Sequence, residues 1–309
     1  MIKPHALAPG AVFGIAAPGF AVDREKLEAG EAALHEAGFE TVRRDDIFDR
    51  EGYLAGTDER RASELMDFVA DPGIDAIICA RGGYGCDRII AALDPQAVRA
   101  AAKPLVGFSD ITALLLWQRR CAGLIGFHGP MLEERVDPRA RAHLLSMLTT
   151  GGPIPEAMSG QGLCPGRATG RTVGGSLTIL ATSLGSSWEV QTRDAILLIE
   201  DVGERPYRID RMLGQLRAAG KFDRLAGVGV GAFSGCLDSK YPDVTVSAVI
   251  EDCFRPLGVP VVIGLPFGHL DSNTAWPMGA RATIDAGKDA DKDADKGELQ
   301  LLERGVAES

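Results

Sequence analysis

Positive charge is scarce in this chain: 33 Lys and Arg stand against 43 Asp and Glu, a formal net charge of −10. Nucleic-acid binding draws most of its affinity from clustered Lys and Arg, so a nucleic-acid partner drops out. Long apolar runs are lacking too, each being broken by charge or glycine well short of the roughly 18 residues of a membrane span. The first ten residues contain Pro4 and Pro9 and no signal-peptide core. The expectation is a cytoplasmic protein with no membrane partner. Cysteine is sparse: Cys79, Cys86, Cys121, Cys164, Cys236 and Cys253 form no CxxC pair and have no histidine at metal-ligand spacing. They read as reduced thiols, not as a disulfide framework or a zinc site. With only five histidines in 309 residues, the search for a general base is short.

What the chain does have is alternation. Short apolar runs such as 11–16, 74–79 and 104–108 are separated by amphipathic stretches near 23–37 and 57–69, with Thr57 as helix cap, followed by a helix over 110–120. That rhythm predicts an α/β fold whose parallel sheet is covered on both faces. Between about Thr149 and Gly175 the pattern lapses into Gly, Pro, Ser and Arg, the composition of a connection. The expected division is a domain over 1–150, a linker over 151–173 and a mixed α/β domain over 174–309. The second domain has helices near 176–184 and 209–219, strands at 195–199 and 227–231, and a closing hairpin from 282–284 to 299–302. The hairpin tip, 288–296, alternates Asp291, Asp293 and Asp295. It fails the calcium-loop rule because Gly297 falls at the seventh position and Leu302 at the twelfth, so it reads as a solvated turn.

Several junctions carry chemistry. In Gly107-Phe108-Ser109-Asp110-Ile111 a strand ends and a helix begins at a serine, the layout of a nucleophile elbow, although Ile111 replaces the usual second glycine. A serine there is also an ordinary N-cap. The turn Arg81-Gly82-Gly83-Tyr84-Gly85 offers backbone N–H groups to an anion or oxyanion, but its spacing matches neither nucleotide motif. His5, His35 and His143 read as tail or solvated residues. His128 and His269 both sit at strand exits, and the residues alone do not choose between them. Glu200 and Asp201 end the apolar run 195–199, where an acid either pairs with Arg or orients a histidine.

Taken in order, these segments resemble the LD-carboxypeptidase family of serine peptidases along nearly the whole chain. The matching pieces are Gly14-Ile15-Ala16-Ala17-Pro18, the run 53–60 (YLAGTDER), 80–85 (ARGGYG), 107–114 (GFSDITAL), Gly174-Gly175-Ser176-Leu177, 198–202 (LIEDV) and 264–269 (GLPFGH). The family resemblance implies a Rossmann-like N-terminal domain, a mixed α/β C-terminal domain, a homodimer, and neither metal nor cofactor. It implies Ser109 as nucleophile, Glu200 as orienting acid and His269 as base, leaving His128 structural. The oxyanion would lie between the N–H of Asp110 and one from Gly82 or Gly83. Arg81 is a candidate for the substrate's terminal carboxylate, with Tyr84 and Trp188 as further substrate contacts. The implied reaction is hydrolysis of an LD-peptide bond, releasing D-alanine from a muropeptide during cell-wall recycling. Microcin-immunity relatives, which cleave aminoacyl or peptidyl nucleotides on the same triad, are the nearest alternative. A non-catalytic two-domain binding protein and a phosphate enzyme using the turn at Gly82 are the others.

Overall fold

The computed structural model describes residues 1–151, 153–287 and 296–307. The strands are β1 (Val12–Ala16), β2 (Glu40–Val42), β3 (Ala76–Cys79), β4 (Leu105–Gly107), β5 (Gly126–His128), β6 (Met158–Cys164), β7 (Arg167–Ser176), β8 (Ala195–Val202), β9 (Gly227–Ser234), β10 (Val261–Ile263), β11 (Trp276–Met278), β12 (Arg281–Asp285) and β13 (Gly297–Leu301). They form an open sheet in the order β2-β1-β3-β4-β5-β11 and a closed barrel in the order β10-β6-β13-β12-β7-β8-β9.

The open sheet is the expected layer. Strands β1 to β5 pair in parallel, and β3 and β4 are buried along their whole length because helices cover both faces. Helix Arg24–Glu36 starts at Asp23, whose carboxylate accepts from Lys26 N, and helix Asp58–Ala70 starts at Thr57, which accepts from Arg60 N. The helix expected over 110–120 is three pieces: a 3-10 turn Ser109–Ile111, an α-helical segment Thr112–Trp117 and a π turn Gln118–Ala122.

The segment 151–173 is not a linker. Most of it is β6 and β7, two barrel strands. Their glycines mislead because they look like loop residues but serve close approach: a Cβ on Gly162 would lie 2.3 Å from Ala286 O, and one on Gly160 2.5 Å from Ile263 O. Exposed positions recur along β6 and the first half of β7, and the buried second half of β7 is Thr172-Val173-Gly174-Gly175-Ser176, so no continuous apolar run marks them. Ile284, Leu198 and Val228 are among the fully buried barrel residues. The expected hairpin is β12 against β13, with Ala282 opposite Leu301. The turn reading at 288–296, calcium alternative included, falls outside the described residues except for Lys296.

One strand crosses the expected division. β11, from the C-terminal half, pairs antiparallel with β5 and places Trp276 opposite His128. The two sheets also meet where Ser176 N donates to Thr112 Oγ1, at 3.2 Å. Gly175 is required there, because a Cβ at its φ of +125° would fall 2.5 Å from Thr112 Oγ1.

Candidate active site

The site begins where β4 stops. A Cβ on Gly107 would lie 2.8 Å from the Ile111 side chain, so only glycine lets the following turn fold back this tightly, with Ile111 filling the space. Ser109 then has φ +59°, in the left-handed region that non-glycine residues avoid. It is no helix cap: its Oγ lies 3.2 Å from His269 Nε2.

His269 is placed by the loop after β10. Gly268 has φ +100° and no room for a side chain, since a Cβ would come within 2.8–3.0 Å of the Glu200 side chain. The Gly268 N–H donates to Asn273 Oδ1 at 2.9 Å, and His269 O accepts from Ser234 Oγ at 2.7 Å. Glu200 is fully buried at the end of β8, where the pairing register with β9 slips between Ile199 and Asp201. Such an irregularity re-aims a side chain. Its Oε2 lies 2.7 Å from His269 Nδ1. An ionised carboxylate only accepts, so Nδ1 carries the proton and Nε2 is free to accept the Ser109 hydroxyl proton.

The electrostatics reinforce that polarity. Burial alone would push the Glu200 carboxyl up, but the imidazoles of His128 and His269 more than offset it and hold it below the ordinary carboxylate value. Burial would depress His269, yet Glu200 above all, with Glu134 and Asp201, raises it above an ordinary imidazole. The neighbouring acid, Asp201, is driven by burial up to about 6 and serves the backbone, accepting from Thr178 N and Oγ1 and from Val202 N.

Beside the serine lies the glycine turn. A Cβ on Gly82 would sit 3.3 Å from Ser109 Oγ and 3.4 Å from Asp110 N. The N–H groups of Gly82 and Gly83 have no acceptor among the described residues. Asp110 N is in the first turn of the Ser109 segment, where amides lack intrahelical partners. The Asp110 carboxylate points away and accepts from Cys86 N at 2.9 Å. The Gly82 backbone and the Asp110 amide therefore both lie next to Ser109 Oγ.

The structure also shows a support for this turn that composition and motif reading missed. Arg61 is fully buried, and its Nη1 donates to both Pro18 O and Gly85 O. Its Nη2 pairs with Asp58. Glu64, buried beside it and pushed up to about 7 by burial, accepts from Ala17 N at 2.6 Å and pairs with Arg60. The signal was present in the run 57–64, whose charges recur on one helix face that proves to be buried.

A cavity of about 250 Å³ opens at His269, lined by Phe108, Glu134, Arg135, Leu270 and Asp271. Glu134 is half-buried, and desolvation drives its carboxyl up to about 7 against the pull of His269. No sequence signal singled it out. Arg81 is half-exposed, donating to Ala21 O and lying 3.5 Å from Glu133. Tyr84 is exposed and stacks obliquely on Tyr53. Trp188, the other expected substrate contact, is 8% exposed and packs in the core. Its loop is tied by Arg119, Arg120 and Cys121 to the far end of the helical segment that starts at Ser109. No cluster among the described residues is arranged to hold a metal ion, and no described helix is long and apolar enough to cross a membrane.

A model of the LD-carboxypeptidase N-terminal domain matches residues 13–129, and one of the C-terminal domain matches 169–284. A putative carboxypeptidase of Streptomyces coelicolor is 40% identical over 93% of this chain and 94% of its own. A probable murein peptide carboxypeptidase of Bacillus subtilis is 36% identical over 99% and 96%. The crystal structure of a muramoyltetrapeptide carboxypeptidase from Oxalobacter formigenes superposes with a TM-score of 0.83 at 28% identity, covering 95% of this chain and 99% of that one.

Proposed function

Because the chain belongs to the LD-carboxypeptidase family, a serine-type hydrolase family, we propose that it removes a terminal D-alanine from murein tetrapeptides, cutting on the carboxyl side of an L-centre. The observation that carries the reading is the continuous relay Ser109 Oγ–His269 Nε2 and His269 Nδ1–Glu200 Oε2, at 3.2 and 2.7 Å. Ser109 attacks the scissile carbonyl as His269 takes its proton, and Glu200 stabilises the imidazolium. The N–H of Asp110 and one from Gly82 or Gly83 receive the oxyanion. His269 then protonates the departing D-alanine, and water resolves the acyl-enzyme. A binding protein would have no use for this relay or for the strained φ of Ser109.

The cavity wall suits the substrate. Glu134 on that wall offers a carboxylate to the side-chain ammonium of a diamino acid, while Arg81, beside Glu133 and outside the wall itself, offers a cation to the terminal carboxylate. The protein is further proposed to work in the cytoplasm as a homodimer. Incubation with a murein tetrapeptide should release D-alanine, and Ser109→Ala should abolish release. A higher kcat/KM on an aminoacyl-sulfamoyl adenosine would instead assign the nucleotide reaction. Undiminished release by Ser109→Ala would overturn the relay.

A further inference from the structure

His128 ends β5 beside the relay, and the reaction above leaves it unused. It is fully buried, and neither ring nitrogen has a hydrogen-bond partner. Glu200 Oε1 is equally without a partner, and the two orphans face each other: His128 Nε2 lies 3.7 Å from Oε1. A buried carboxylate oxygen with no donor is costly, as is an idle buried imidazole. A closure of about half an ångström brings the pair within hydrogen-bonding reach. The ring is already aimed. It stacks on Trp276 at 4.8 Å between centroids and 16° between planes, and Phe108 and Phe267 pack against it at 5.6 and 5.9 Å. Those neighbours are apolar, so Glu200 is the charged group that His128 meets.

We propose that His128 is a positioning residue for the relay: its Nε2–H donates to Glu200 Oε1, so that the carboxylate is held between two imidazoles and keeps Oε2 on His269. The inference rests on the relay reading of Ser109, Glu200 and His269. A carboxylate anchored at one oxygen alone can rotate about its C–C bond and loosen its grip on Nδ1, whereas anchoring both oxygens fixes its plane. The second donor also lowers the affinity of the Glu200–His269 pair for a proton, whichever member carries it. Glu134 and Asp201 act on His269 in the opposite sense, and both remain in the variants below.

Two variants separate this role from packing. His128→Phe keeps an aromatic ring against Trp276 but cannot donate, and His128→Gln restores an amide donor. With a murein tetrapeptide as substrate, His128→Phe should lose about ten- to a hundredfold in kcat with KM little changed, as expected for a lost hydrogen bond to a charged group. Its acid limb of kcat/KM should move to higher pH. His128→Gln should recover most of the loss. A Phe variant with wild-type kcat and an unmoved acid limb would show a packing residue only and overturn the proposal. If the Phe variant does not fold, the wild-type protein labelled with ¹⁵N-histidine decides. A proton on His128 Nε2 supports the proposal, and an unprotonated Nε2 overturns it. Failure of the relay itself would appear separately, as activity surviving in Ser109→Ala or His269→Ala.

Discussion

Replacing Gly82 with alanine puts a methyl group where the proposed oxyanion must form. Gly82 does not have a left-handed φ, so the backbone accepts the change. The new Cβ would lie 3.1 Å from Ser109 Cβ, 3.3 Å from Ser109 Oγ and 3.4 Å from Asp110 N. These contacts are tight enough to displace the serine by a few tenths of an ångström and close enough to keep a substrate oxygen away from the amides. Losing one oxyanion donor costs about 2.7–4 kcal/mol, or about 10²–10³ in kcat. Gly82→Ala should therefore show that fall in D-alanine release with a melting temperature near that of the wild type. Gly83→Ala is the contrast. Its φ of +109° and a Cβ 2.3 Å from the Phe20 ring should lower the melting temperature directly. A Gly82→Ala enzyme with kcat within about threefold of wild type would refute the assignment of this space to the oxyanion.

The base must be neutral to accept the serine proton, and the folded environment raises His269. Accordingly kcat/KM should fall as pH drops through a value above that of an ordinary imidazole, which a pH–rate profile on the tetrapeptide reads. Glu134→Gln removes one carboxylate that raises His269, so its acid limb should move to lower pH. KM should rise several-fold for a diamino-acid tetrapeptide but not for one with alanine at that position, checked by steady-state kinetics on both. Arg61→Met leaves Pro18 O and Gly85 O without their donor and Asp58 without this partner. It should destabilise the fold by about 3 kcal/mol in denaturant unfolding, with a lower kcat in the folded fraction.

Much of the open sheet was readable because its strands are buried on both faces and its helices carry local caps, as at Asp23 and Thr57. β6 and β7 were not, because their glycines answer to neighbours far along the chain, such as Ala286 and Ile263. At the site, Ser109, Glu200 and His269 were each visible at a strand exit, but each also had an ordinary local explanation. His128 and His269 were indistinguishable by local pattern. What separates them is which oxygen of Glu200 each one meets, and Gly268 sets that for His269. Glu134 stayed hidden because nothing in the sequence near it marks a cavity wall.

The crossing strand β11 bears on how such a protein can change over generations or in the hands of an engineer. A chimera that took residues 1–150 from one relative and the remainder from another would join one parent's His128 to the other's Trp276, inside a single sheet. The ring stack and the sheet edge would both have to match at that seam, with Glu200 arriving from the same donor as Trp276. The halves are thus poor units of exchange: fragments produced separately should complement each other only as cognate pairs, and shuffled libraries should retain function chiefly where 128, 200 and 276 come from one parent.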